Sequence, residues 1–170
     1  MIMRIVSGGQ TGVDRAALDA ALAGGVPCGG WCPSGRAAED GPIPERYPLQ
    51  EMADGGYASR TKKNVRTSDA TAILYFGELS GGTQLTVFFC IQERKPYKLI
   101  DGKEIPPERA AVLLAEFCRE HAVQTFNVAG PRASTDARAY PYAYEVISAF
   151  LQHQPTAHPA ICPGTPPGVV

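Results

Sequence analysis

The chain has 170 residues, 44% hydrophobic and 19% charged, with a formal net charge of -1. That length supports one ordinary domain with one core, and it needs no disulfide or metal staple to fold. The near-neutral balance supplies no global field for nucleic acid or an anionic membrane, and no apolar run approaches the ~18 residues of a membrane span.

Met1 leads within a few residues into a first strand, with no charged-then-apolar leader. The cysteines are Cys28, Cys32, Cys90, Cys118 and Cys162, an odd number. With no secretion signal, the expected compartment is the reducing cytoplasm. Met3 to Val6 is a short apolar run that stops at Ser7-Gly8-Gly9. A helical pattern follows, with Asp14 as a candidate cap, Ala17, Leu18, Ala21 and Leu22 on one face, and Gly24-Gly25 as its stop. Val26 to Trp31 reads as a second, glycine-broken strand. From Cys32 to Gly56 no period holds, and Pro33, Pro42, Pro44 and Pro48 exclude a long helix. A loop of about 20 residues in a compact domain is uncommon and often functional.

Tyr57 to Ser68 is polar and predicts an exposed helix, whereas Ala70 to Phe76 is apolar throughout and predicts a strand covered on both faces. After the turn at Gly77–Gly82, Thr83 to Glu93 is nearly all apolar and predicts a buried helix. Pro96 to Ile100 is a strand. Pro106-Pro107 open a helix with Ala110, Leu113, Leu114, Phe117 and Cys118 on its inner stripe. Val123 to Ala129 is a strand ending at Gly130-Pro131-Arg132, and the last helix runs from about Tyr142 to Leu151. Regular alternation of strand and helix predicts an α/β fold, an open, mostly parallel sheet with helices on both faces. The expected division is a ligand-binding domain over 1–152 and a Pro-rich tail over 153–170. Five prolines with no period cannot build a core.

In such a sheet ligands bind outside the carboxyl ends of the strands. Three segments are expected there. Gly8, Gly9 and Gly12 let an anion approach the backbone and the free amides of a helix start, while Gln10, Thr11 and Arg15 add donors. The spacing is neither G-x-G-x-x-G nor a P-loop, which needs a Lys. Gly81, Gly82 and Thr83 repeat the same physics, though Thr83 also suits a simple N-cap. Arg132, directly after a strand, is placed to clamp phosphate, or to stand solvated at the surface. Arg36 and Arg60 are expected to cover the site, and Lys62 and Lys63 to form a solvated face. Glu39, Asp40 and Asp69 are the acids expected nearby. Cys28 and Cys32 are spaced C-x3-C without a second pair or a nearby His, so no protein-ligated structural metal is expected.

These segments together resemble the molybdenum carrier protein family. The resemblance rests on Ser-Gly-Gly-Gln-Thr-Gly-Val-Asp-Arg at 7–15 and Gly-Trp-Cys-Pro-Ser-Gly-Arg-Ala-Ala-Glu-Asp-Gly-Pro-Ile-Pro at 30–44. It continues through Arg60-Thr61 with Asn64, Ser68-Asp69-Ala70-Thr71, Gly81-Gly82-Thr83 and Asn127-Val128-Ala129-Gly130-Pro131-Arg132. It spans residue 1 to about 151. It implies a Rossmann-like fold related to the LOG and lysine-decarboxylase-like proteins, and binding of molybdenum cofactor (molybdopterin), an anionic small molecule that brings its own metal. It also implies a homo-oligomer, a dimer or tetramer. LOG proteins carry Pro-Gly-Gly-x-Gly-Thr-x-x-Glu with a catalytic glutamate, and here Thr86 stands in that place. A threonine cannot serve as a carboxylate base, which favours binding over cleavage. A nucleoside-monophosphate phosphoribohydrolase using another acid and a non-catalytic nucleotide sensor are the alternatives.

Overall fold

The computed structural model describes residues 3–153. The Pro-rich tail, with Cys162 and His158, lies outside the described residues.

Five short apolar segments pair in parallel. They are β1 (Arg4–Val6), β2 (Cys28–Gly29), β3 (Ala70–Tyr75), β4 (Tyr97–Asp101) and β5 (Thr125–Ala129), in the spatial order β2-β1-β5-β3-β4. Ile5 lies beside Cys28 on one side and Phe126 on the other, and Ile73 lies between Ala129 and Leu99. Ile5, Ala72, Ile73, Leu74, Phe126 and Val128 are fully buried, as strands covered on both faces must be. Read from β5 as if it came first, the order becomes 3-2-1-4-5, that of the doubly wound dinucleotide-binding sheet. The fold is therefore α/β and Rossmann-like, with its topological switch point between the ends of β5 and β3.

Helices α1 (Val13–Ala23), α4 (Pro107–Glu120) and α5 (Ala139–Gln152) pack together on one face, and α2 (Tyr57–Thr67) and α3 (Gly81–Gln92) pair on the other. The larger core joins Val13, Ala17 and Leu114 to Phe126, Ile147 and Phe150. The smaller holds Val65, Ile73, Phe89 and Cys90. None of these helices is long and apolar enough to cross a membrane.

Several local expectations change. Asp14 does not cap α1: Gly12 is the N-cap, and Asp14 lies inside the first turn. α2 is not simply an exposed polar helix. It buries Arg60, Thr61, Asn64 and Val65, and Asn64 accepts the Trp31 N–H at 2.8 Å and donates to the Trp31 carbonyl at 3.0 Å, as a neighbouring strand would. α3 begins at Gly81 and is not buried all round: Phe88 is 55% exposed and Ile91 61%. Among the described residues its one large helical neighbour is α2, and no other helix packs broadly against it. α5 starts at Ala139 despite Pro141, because a first-turn amide has no intrahelical partner to lose.

The aperiodic segment from 32 to 56 is ordered by packing. A short turn at Ser34–Arg36, a two-residue hairpin pairing Ala37–Ala38 with Gly41–Pro42, and a parallel pair of Trp31–Cys32 with Gln50–Glu51 give it little regular structure. Ile43, Tyr47 and Leu49 instead close a satellite core on Leu18 and Cys32. Those contacts are long-range, so no period announces them.

The ends of β1, β3 and β5 meet tightly at Gly130. A Cβ there would stand 2.5 Å from the Leu74 carbonyl oxygen and 2.6 Å from Val13 Cγ2. Gly130→Ala is expected to lower unfolding free energy by about 1–3 kcal/mol, the usual cost of overpacking, read as a lower urea midpoint at unchanged slope.

Candidate functional site

A cleft of about 330 Å³ opens at the switch point. Its walls are the start of α3, the turn after β5 and the first turns of α1 and α2. That volume is in the range of small-molecule sites.

α3 supplies the first wall. Ser80 is its N-cap but makes no side-chain capping bond; its carbonyl takes the Thr83 amide at 3.1 Å, and among the described residues the Gly81 and Gly82 amides stay open. Gly81 and Gly82 line the cleft, and a Cβ added to either would meet nothing within 4 Å among the described residues. Gly81 adopts φ +51°, where glycine is favoured. The result is an uncovered helix N-terminus with its partial positive charge facing an open volume. Thr83 sits behind the glycines, 7% exposed, inside the helix and not at its cap. The Thr86 hydroxyl donates to the Gly82 carbonyl at 2.9 Å and puts no carboxylate at this wall.

The floor is a buried ion pair. Arg60 Nη1 donates to Asp14 Oδ2 at 3.2 Å, with Arg60 9% exposed and Asp14 4%. Gly8 lies beneath, and any side chain there would run into the guanidinium. Arg60 Nε is enclosed without an acceptor among the described residues. Burial pushes the Asp14 carboxyl above the ordinary carboxylate range, against the pull of Arg60 and the Gln10 amide. Arg132 stands at the opposite rim with its side chain 48% exposed, 3.8 Å from Glu39. Tyr57 and Phe76 add aromatic surface to the walls, and Phe76 is held between the Arg138 guanidinium, 4.7 Å from its centroid, and the edge of Tyr142.

Of the residues expected to contact a ligand, Gln10, Arg60, Gly81, Gly82, Thr83 and Arg132 line this cleft. The others are turned to bracing. Gly9 packs on Leu49 and Ile43, and Gly12 lets its backbone meet the Pro131–Ala133 turn. Thr11 donates to Glu39 and accepts the Ala133 N–H at 3.1 Å, so Glu39, which also accepts from Ser134, ties the first loop to the third. Arg15 is occupied by Asp40 and the Gly9 carbonyl. Arg36 faces away from the cleft and donates to the carbonyls of Ile43, Pro44, Tyr47 and Leu49, clasping the aperiodic segment on itself.

Asp69 is at the other end of the sheet. It precedes β3 and accepts the Gln124 and Thr125 amides at 2.9 and 2.7 Å. Lys62 faces Glu93 at 3.5 Å, and Lys63 lies over the Trp31 ring at 4.8 Å. Cys32 is enclosed in the satellite core, and burial pushes the thiols of Cys28 and Cys32 up and that of Cys118 to about 12, which suppresses thiolate chemistry. Among the described residues no group of three or more His, Cys, Asp or Glu is placed to hold a metal ion. Asp14, Tyr57, Phe76 and Glu78 line the cleft without having been expected there. The one sequence signal was an acid in the first turn after a glycine loop.

The model of the circularly permutated YpsA SLOG family matches residues 5–151. The chain belongs to that family. Among solved structures, the crystal structure of the "Putative molybdenum carrier protein" from Syntrophus aciditrophicus SB is 48% identical. The match covers 88% of this chain and 95% of that one, with a TM-score of 0.86. No curated protein matches the chain.

The placement of Arg36 in this YpsA-like chain has a measurable consequence. Arg36→Ala is expected to cost about 2–4 kcal/mol of stability, the sum of a few charge-assisted hydrogen bonds with the usual non-additivity. Urea unfolding reads it. A loss of anion affinity at unchanged stability would instead make Arg36 a ligand contact.

Proposed function

We propose that this protein binds and carries a small phosphate-bearing ligand, molybdenum cofactor or a related phosphate-bearing pterin, in the cleft at the switch point. The observation that carries the reading is the open start of α3, where none of the described residues stands over Gly81 and Gly82 and Arg60 and Arg132 flank the space. Free helix amides and guanidinium groups recognise phosphate by the same charge-assisted hydrogen bonds. The aromatic walls at Tyr57 and Phe76 suit a flat heterocycle. The name of the Syntrophus aciditrophicus neighbour points to molybdenum as the cargo. Within the reading, Gly8, Gly9, Gly12, Thr11, Arg15 and Arg36 shape the site and Gln10, Arg60, Gly81, Gly82, Thr83 and Arg132 touch the ligand. No structural metal of the protein's own is involved.

The same reading places the protein in the cytoplasm as a homo-oligomer, dimer or tetramer, with the domain at 1–152 and the tail at 153–170 as separate parts. The exposed Phe88 and Ile91 stripe supports association. A second reading, cleavage of a nucleoside monophosphate, is favoured by one observation: a buried carboxyl, Asp14, lines the cleft although the LOG-type glutamate position holds Thr86.

Titration with molybdenum cofactor, AMP and GMP, followed by analysis for free base, separates these. Saturable cofactor binding with intact nucleotides is the expected result, and release of base would establish the enzyme. Arg132→Ala is expected to weaken the bound ligand by about 1.5–3 kcal/mol, as for one lost charge-assisted hydrogen bond. Unchanged affinity would remove Arg132 from the site. Gly82→Val is expected to abolish binding while leaving the thermal midpoint near that of the parent, because its side chain would project into open space. Undiminished binding by that variant would leave the glycine pair a turn and nothing more.

A further inference from the structure

The most buried acid of the cleft has no part in a simple anion cradle. Asp14 is 4% exposed and lines the floor beside Arg60. Two hydrogen bonds reach Oδ2, from Arg60 Nη1 at 3.2 Å and from the Gln10 amide at 3.3 Å. The Ser7 hydroxyl and the Gly8 amide also lie against this carboxyl. Arg60 is underused: among the described residues only Nη1 of its side chain has an acceptor, and Nε is enclosed with none. An oxyanion drawn to Arg60 and the start of α3 therefore arrives next to a carboxyl that already occupies the same guanidinium. Two negative groups on one cation in a water-poor floor repel, and one of them takes a proton, as paired carboxylates do.

We propose that the cleft takes its oxyanion together with one proton, and that Asp14 is the residue that holds that proton against the ligand. The proposal rests on the anion-binding reading above. A phosphate monoester can bring the proton as its own O–H, donated to the Asp14 carboxylate. A fully ionised oxyanion such as sulfate has none to bring, so a proton must come from solution onto Asp14, whose O–H then donates to the anion. No covalent bond to a heavy atom forms or breaks in either case. Asp14 thus selects a protonatable phosphate ester over sulfate or molybdate at neutral pH. Burial already lifts the Asp14 carboxyl before any ligand arrives.

The groups facing Asp14 are few. Arg60 comes from α2, and Ser7, Gly8 and Gln10 from the loop before α1. Farther round the same cleft are Arg132, the exposed Glu78, and Asp136, which is occupied by Arg138 at 2.7 Å. Glu78 is thus the rival carboxylate, and the test must tell it from Asp14.

The test is calorimetric titration of the full chain with sulfate and with methyl phosphate, in two buffers of different ionisation enthalpy. Sulfate has no proton of its own near neutrality, so any proton taken up belongs to the protein. Close to one proton is expected per sulfate bound, with affinity falling as pH rises, by up to about tenfold per pH unit. In Asp14→Asn, sulfate is expected to bind with no proton uptake and a flat pH profile. The wild-type arm stands even if that variant is unstable. Sulfate binding without proton uptake in the wild type would overturn the proposal and leave the anion-binding reading intact. So would uptake that persists in Asp14→Asn and vanishes in Glu78→Gln. If neither anion binds, the anion-binding reading itself falls, and the proposal with it.

Discussion

Everything at the carboxyl edge of this sheet depends on three backbones meeting where no side chain fits between them. β5 lies between β1 and β3, so the loops leaving all three must share one small space. Gly130 allows it by standing against the Leu74 carbonyl and the Val13 side chain, and Gly12 by letting the start of α1 touch the Pro131–Ala133 turn. Glycine is required at Gly12 twice over, since its φ of +78° is also one that side chains rarely adopt. Once the loops are that close, single polar groups can tie them. Thr11 and Glu39 bridge the first loop, the aperiodic segment and the third loop.

The second constraint is electrostatic. An ion pair as buried as Asp14 and Arg60 returns little net stability, because desolvation offsets the attraction, yet removing one partner strands the other. Such a pair fits a binding role better than a stabilising one. It holds a guanidinium with unused donors beside an open helix terminus, and it does so with Gly8 cleared from beneath. The remaining arginines near the edge are committed elsewhere, Arg15 to Asp40 and Arg36 to main-chain carbonyls. The cleft therefore has fewer free cations than the composition of its loops suggests, and each counts for more.

Strand and helix order was legible in the residues, because β3 is largely apolar and the glycine turns stop the strands cleanly. The glycine pair at 81–82 and Arg132 were legible as cleft residues for the same local reason: they belong to the turns that follow strands. α2 was harder. Its charged and amide residues give no apolar period, and Asn64 earns its burial through the Trp31 backbone, 33 residues away in sequence. The aperiodic segment hid its core for a similar reason, since Ile43, Tyr47 and Leu49 are spaced for Leu18 and Cys32 and not for one another.

Taken alone, the sequence determined the α/β alternation, the glycine-rich turns at strand ends and the absence of a carboxylate at position 86. These are local properties, set by period, by side-chain size and by identity. Only the tertiary structure decided which arginine meets the cleft and which acid joins it. Arg36 and Arg60 are the same residue type in comparable polar surroundings, but one is surrounded by carbonyl oxygens and the other lies over Gly8 beside Asp14. Asp69 and Asp14 part in the same way, to opposite ends of the sheet. Side-chain direction depends on what the folded chain places within a few ångströms, and those neighbours are distant in sequence.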